Sequence, residues 1–413
     1  MSAEVPQLVD HLFRREAGRM VAALTRVFGA ENLALAEDVV QDSLIQALRA
    51  WPFRGVPENP GAWLMQVAKN RALDLLRREA SLDRKEAAIR DWTASLAPES
   101  SEGEAMDDQL RMIFICCQPA VPREARVALT LKTVGGFGVP EIARAYLAKE
   151  ATIAQRLVRA KRKIQEIHPS FEVPPPAELP AALDSVLEAL YLMFNEGYAA
   201  SGGEELVRRE VCAEAIRLAR LVAEHPALDV PRAHALAALF TFQAARNPAR
   251  VDLEGNLLLL SEQDRGLWDR GKIASGLHHL DRAARGTEIS AYHLEAGIAA
   301  CHASASSYEE TDWPYILELY DSLLVLKPSP VVALNRAVAL AMAEGLPAGI
   351  AAVEEIRSPA LAAYYPLPVT LGELYARAGD AGKAAKSFRT ALELESPEPV
   401  RRRILERLGS LES

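Results

Sequence analysis

From Thr152 to Ile164, apolar Ile153, Leu157, Ala160 and Ile164 recur at i, i+4, i+7 and i+11, one stripe of an α-helix. Gln155, Arg159 and Arg162 fall on the opposite face, with Arg156 and Lys163 beside them. Guanidinium forks and an amide are the groups that bind phosphate oxygens and hydrogen-bond base edges. Upstream, Val139–Leu147 places Pro140 in a first helical turn, where its missing N–H is harmless, and offers Ile142, Ala145 and Tyr146 for packing. Ala148–Ala151 then reads as a turn and Thr152 as an N-cap. Two short helices, the second basic and exposed, form the arrangement that enters a DNA major groove. Between Arg123 and His168 ten Lys/Arg face four Asp/Glu, a local excess of positive charge in an acidic chain. The bland alternative is a solvated basic helix without function.

A second helix begins after Asn59-Pro60. Trp63, Asn70, Asp74 and Arg77 lie on one face of it, and Leu64, Val67, Ala68, Leu75 and Leu76 largely on the other. A Trp with amide and Arg neighbours suits stacking on an unpaired base while cations hold phosphate; the alternative is a core Trp with solvated arginines. Just upstream, Asp38, Gln41 and Asp42 share a face, and an acidic face beside a DNA-reading helix is better suited to a protein partner.

Glu37–Asp42 followed by Ala62–Arg78 resembles region 2 of extracytoplasmic-function sigma factors, group 4 of the sigma-70 family. Glu141-Ile142-Ala143 through Thr152–Lys161 resembles their region 4. The resemblance implies RNA polymerase core (clamp and flap) and promoter DNA as partners. It assigns Asp38, Gln41 and Asp42 to the polymerase-facing surface, and Trp63, Asn70, Asp74, Arg77 and Arg78 to opening of the minus-ten element. Thr152, Gln155, Arg156, Arg159, Arg162 and Lys163 fall where minus-thirty-five duplex is read. The commonest family pattern has a basic residue and then Ser where this chain has Ala154-Gln155. Ala can touch a thymine methyl and Gln can pair with adenine, so a different promoter preference is expected.

These motifs sit in a chain of 413 residues, half of them hydrophobic, which predicts several domains with ample core. Net charge is +2 over residues 1–170 and −11 over 171–413, so the second part is a poor candidate for DNA contact. Pro174-Pro175-Pro176 and Pro180 mark a stiff spacer between the two. An all-α fold is expected, with a region 2 bundle over 1–81, an acidic linker over 82–109 and a region 4 helix-turn-helix over 110–170. The spacer takes 171–181, a helical extension 182–290, and tetratricopeptide-like repeats 291–413. The linker, which includes Asp83, Glu86, Asp107 and Asp108, reads as a solvated tether; the family analogy would instead thread it through the polymerase channel.

Gly372, Tyr375, Ala384, Phe388 and Ala391, followed by Pro397, have tetratricopeptide spacing, in which small residues let two helices close and aromatics fill the gaps. Trp313–Ile316 with Tyr320, Leu323 and Pro328, and then Asn335–Ile356, resemble earlier, degenerate repeats. Stacked repeats would offer a face to a protein or peptide; pure packing is the alternative. Leu190–Gly203 and Glu262–Arg270 resemble the segment of sigma factors that carry a long C-terminal extension of this kind. There Asn195, Glu196, Asp264, Arg265, Asp269 and Arg270, with Tyr198 and Trp268 beside them, read either as an internal polar network or as a small-ligand or peptide site.

Four cysteines without a C-x-x-C, and His278-His279 without partners at ligand spacing, point to no metal and no cofactor. Cys116-Cys117 lies in an apolar run and reads as core. With no signal peptide or apolar run of spanning length, a cytoplasmic protein with no membrane partner is expected. No nucleophile–base pair stands out, so the chain does not read as an enzyme. A sigma factor with a C-terminal domain acting in cis, a DNA-binding regulator that never joins polymerase, and a C-terminal scaffold or enzyme are the three functional classes. The Asp38–Asp42 face followed by Trp63–Arg78 favours the first.

Overall fold

The computed structural model describes residues 4–78, 102–146, 148–198, 209–226, 228–252, 256, 258–356 and 361–412, with the side chains of 4–15, 75–78, 102–106, 144, 145, 209 and 412 outside that description. No β-strand is present among the described residues, and the fold is all-α. Two compact units divide the chain, residues 1–192 and 193–413.

In the first unit the order is α1 (Glu4–Phe28), α2 (Leu33–Arg54), α3 (Pro60–Arg78), α4 (Glu102–Cys116), α5 (Arg123–Thr133), α6 (Val139–Ala145) and α7 (Glu150–Ile167). α1 packs against α2, α3, α4 and α5. Met20, Leu24, Leu33, Val39, Leu64, Ala68, Leu110 and Ile113 are buried in this unit. Gly18 allows the closest approach: a Cβ there would lie 2.0 Å from the Val134 carbonyl oxygen, so no larger residue fits between α1 and the end of α5. Asn59 precedes α3, which already begins at Pro60, and its Oδ1 accepts from the Ala62 N–H at 3.0 Å. Cys116 and Cys117 are core residues, and burial pushes the Cys117 thiol up to about 11.

Two expectations are corrected here. The turn between α6 and α7 is shorter than Ala148–Ala151, because α7 already starts at Glu150 with Lys149 at the cap. A glutamate in the first turn is favoured by the helix dipole, and Thr152 becomes an exposed first-turn residue whose N–H donates to the Lys149 carbonyl at 2.9 Å. The acidic linker, Leu82–Gln109, falls mostly outside the described residues. Its end does not: Asp108 is buried in α4, 3.3 Å from Arg26 and 3.1 Å from Arg111, so it is a structural anchor instead of a solvated tether charge. Burial pushes its carboxyl pKa up against the pull of those two guanidiniums.

α8 (Leu179–Tyr198) begins after Pro174-Pro175-Pro176 and takes Pro180 into its first turn, where a missing N–H is harmless, so the spacer expected over 171–181 is cut short by the helix. The second unit then contains α9 (Arg209–Glu224), α10 (Pro231–Ala245), α11 (Arg270–Ala283), α12 (Ala291–Ser304), α13 (Trp313–Leu326), α14 (Pro330–Ala343), α15 (Leu346–Glu355), α16 (Pro366–Arg377), α17 (Ala381–Leu392) and α18 (Glu398–Glu412). α10 is apolar almost all round, which is the pattern of a central helix. It packs against α9, α11 and α12, and Phe240 stacks on Phe194 at 4.2 Å between ring centroids. From α13 onward each helix packs mainly on its sequence neighbours, and three successive apolar clusters fill the interfaces. Gly372 faces Phe388 so closely that a Cβ would lie 2.6 Å from the ring, the small-against-aromatic contact that the spacing anticipates.

Candidate nucleic-acid interface

α7 holds its functional face by burying the opposite one. Ile153, Leu157, Ala160 and Ile164 are sunk against the rest of the unit, while Thr152, Gln155, Arg159 and Arg162 are exposed and Val158 stands among them. Both α5 and α6 pack on α7, and so fix its orientation. Arg156 is paired with Glu124 of α5 at 2.9 Å, and Arg162 and Lys163 share Glu166 at 3.2 and 3.3 Å. Those surface pairs are worth little and would exchange readily for phosphate. Gln155 and Arg159 stay open for contacts on the exposed face.

α3 exposes Asn70 and Asp74 and buries Leu64, Ala68 and Ala72. Trp63 is half-buried, neither fully core nor free: Trp51 of α2 meets it edge-on at 5.6 Å, so one ring is braced while part of its surface remains open. Asn70 accepts from Gln66 Nε2 at 3.1 Å. The side chains of Arg77 and Arg78 lie outside the described residues. On α2, Asp38, Gln41 and Asp42 are all exposed, and Arg71 of α3 donates to Asp42 at 2.8 Å.

The residue reading missed what extends this acidic face. Ile45 and Leu48 continue it at helical spacing, Leu48 being 57% exposed, and Phe53 beyond them is 89% exposed. Apolar side chains left in water beside carboxylates are the make-up of a protein-binding surface. Their visible signal was the break in the apolar stripe of α2. Missed too was Glu37, half-buried on α2, which accepts from Thr133 at 3.1 Å and pairs with Lys161 of α7. One carboxylate thus ties the helix bearing the acidic face to the basic helix.

In the second unit the expected polar set separates. Asn195 and Arg270 face solvent. Asp264 caps a short turn through the Gly266 N–H, and Asp269 caps α11 through the Lys272 N–H. Tyr198 stacks on Phe194 at 5.4 Å and carries Arg250 over its ring at 3.9 Å. Arg265 and Trp268 are buried together, with the guanidinium 5.0 Å from the indole centre. Glu196 is half-buried on α8. His279, which the sequence left unpartnered, meets His234 of α10 with Nδ1 atoms 3.0 Å apart. Among the described residues no helix is long and apolar enough to cross a membrane.

Residues 12–82 match the family model described as Sigma-70 region 2, and residues 182–284 match a Family of unknown function (DUF6596). An uncharacterised protein of Rhizobium meliloti (strain 1021) is 40% identical over 380 residues, covering 91% of this chain and 89% of that one. The RNA polymerase sigma factor CarQ of Myxococcus xanthus is 30% identical over 168 residues, 40% of this chain and 91% of its own. The ECF RNA polymerase sigma-E factor of Salmonella typhimurium (strain LT2) is 33% identical over 135 residues, 31% of this chain and 70% of its own. The match to Sigma-70 region 2 and the sigma-factor relatives define the class of protein. The chain belongs to the sigma-70 family of RNA polymerase sigma factors.

Proposed function

We propose that this chain is an extracytoplasmic-function sigma factor, group 4 of its family, which brings core RNA polymerase to a restricted set of promoters from the cytoplasm. The observation that carries the reading is the face of Gln155, Val158, Arg159 and Arg162, left in water by a helix whose other stripe is wholly buried. On this reading α6 and α7 are a helix-turn-helix that reads minus-thirty-five duplex, with Gln155 and Arg159 on bases and Thr152, Arg156, Arg162 and Lys163 on the backbone. Trp63 stacks on a base as the minus-ten element opens, with Asn70, Asp74, Arg77 and Arg78 lining the strand. Asp38, Gln41 and Asp42, extended by Ile45 and Leu48, dock on the polymerase clamp, and the basic unit reaches the flap.

The Glu37–Lys161 contact then describes a closed form, because a helix tied to α2 must part from it before both promoter elements are reached. The second unit acts in cis, as a tetratricopeptide-like domain that offers a face to a protein or peptide. Run-off transcription with core polymerase on candidate promoters, comparing the full chain with a truncation after Leu192, tests both parts. A promoter-dependent transcript from the full chain supports the assignment. Greater output from the truncation makes the second unit inhibitory, and output from the full chain alone makes it part of the initiation complex. Silence from both overturns the sigma assignment.

A further inference from the structure

Among the described residues of the second unit, three arginines are placed without an acidic hydrogen-bond partner. Arg265 is 7% exposed, and its donors go to the carbonyls of His302 at 2.6 Å and Ala305 at 2.8 Å and to the Thr311 hydroxyl at 2.9 Å. Arg250 is 9% exposed and donates to the Tyr198 carbonyl at 2.6 Å. Among the described residues Arg246, half-buried, reaches the amide oxygens of Gln263 at 3.4 Å and Gln243 at 3.5 Å. All of these acceptors are neutral.

The acids of the same segment are committed elsewhere: Glu262 to Arg403, Asp264 to the Gly266 N–H, and Asp269 to Lys272. Glu309, on the surface, is the carboxylate whose field reaches Arg265. Buried cations are normally paired, because leaving water without a counter-charge is costly. The arginines also repel one another, and both Arg250 and Arg265 feel the charge of Arg246.

Two further polar atoms point the same way. Trp268 Nε1, in a side chain 3% exposed, is a donor with no acceptor, and buried His302 Nδ1 has no partner either. The Trp268 ring lies 5.5 Å from the Arg246 guanidinium carbon and 5.0 Å from that of Arg265. His302 is held neutral, its pKa pushed down to about 3 by burial and by Arg246 and Arg265. A neutral imidazole can still donate from Nδ1.

We propose that Arg246, Arg265, Trp268 Nε1 and His302 Nδ1 form a binding site for a small oxyanion, the carboxylate or phosphate group of a metabolite or peptide. An oxyanion fits because forked guanidiniums and N–H donors are its usual ligands, and it supplies the charge that the cluster lacks among the described residues.

The test uses the full chain at matched ionic strength in chloride, with sodium phosphate or sodium succinate added as probe, reading Tm by circular dichroism. Site binding raises Tm by about 3–5 °C when the anion is at about ten times its Kd. Phosphate alone acting marks a phosphate site, and succinate alone marks a carboxylate site. Arg246→Gln should be at least as stable as the parent in chloride, since it removes an uncompensated charge, and should lose the anion-dependent rise. Trp268→Phe, which keeps the ring bulk and removes the N–H, should show a smaller rise than the parent. The proposal fails if neither anion raises Tm beyond chloride, or if Arg246→Gln shows the same rise. It fails equally if Arg246→Gln lowers Tm in chloride, because Arg246 is then a structural prop.

Discussion

Arginines are used in two opposite ways in the two units. On α7, Arg159 and Arg162 stand in water on a helix whose packing does not depend on them. In the second unit Arg250 and Arg265 are buried and hydrogen-bonded to neutral oxygens, with Arg246 half-buried beside them. An exposed cation keeps its hydration until a polyanion arrives, so it contributes to binding and hardly to folding. A buried one contributes to folding through every carbonyl it satisfies, and what it can bind is limited to a group small enough to reach it. The same residue type thus lines an open surface in one unit and a confined polar centre in the other.

The sharpest way to break this contrast is to remove one arginine from each class. Arg265→Met leaves two carbonyls and a hydroxyl without their donor, so unfolding free energy in urea should fall by about 2–4 kcal/mol. Arg159→Met should change it by no more than about 0.5 kcal/mol. Equal effects would dissolve the distinction. For DNA the order reverses. Arg159→Ala should weaken holoenzyme binding to promoter duplex by about 1–3 kcal/mol if it reads a base, and less if it holds only phosphate, as measured by anisotropy over a salt series.

Trp63→Ala should leave duplex binding intact and reduce promoter opening, by about 1–3 kcal/mol per stacked base, scored by permanganate reactivity of the opened strand. Normal opening by this variant would remove the aromatic helix from the account. Stability should also depend on pH. Burial and the neighbouring His234 push the His279 pKa down to about 4, below the usual value near 6.5. The unfolded chain therefore binds the proton first. Stability is complete above about pH 6.5 and declines as pH falls toward about 4, with no further loss from this group below that. A Tm profile of the full chain against His279→Gln reads the difference.

Periodic features were legible in the residues. The stripe Ile153–Leu157–Ala160–Ile164 and the Gly372–Phe388 closure each depend on short spacings, and helix geometry converts spacing directly into a face. What stayed hidden joins distant positions. Glu37 meets Lys161, His234 meets His279, and Arg265 meets the His302 carbonyl only after helices pack, and no local period announces such contacts. Asp108 misled for a related reason: within an acidic run it looks solvated, and only Arg26 from α1 reveals it as an anchor. Thr152 was displaced by a competing local preference, since Glu150 extends the helix toward its own positive end.

The central claim is that the first unit directs polymerase to promoters, and run-off transcription with core polymerase tests it most directly. The full chain should yield a transcript that starts at a defined position, requires the promoter, and falls sharply with Arg159→Ala. Absence of any promoter-dependent transcript from both the full chain and the truncation after Leu192, with the protein shown to be folded, would contradict it.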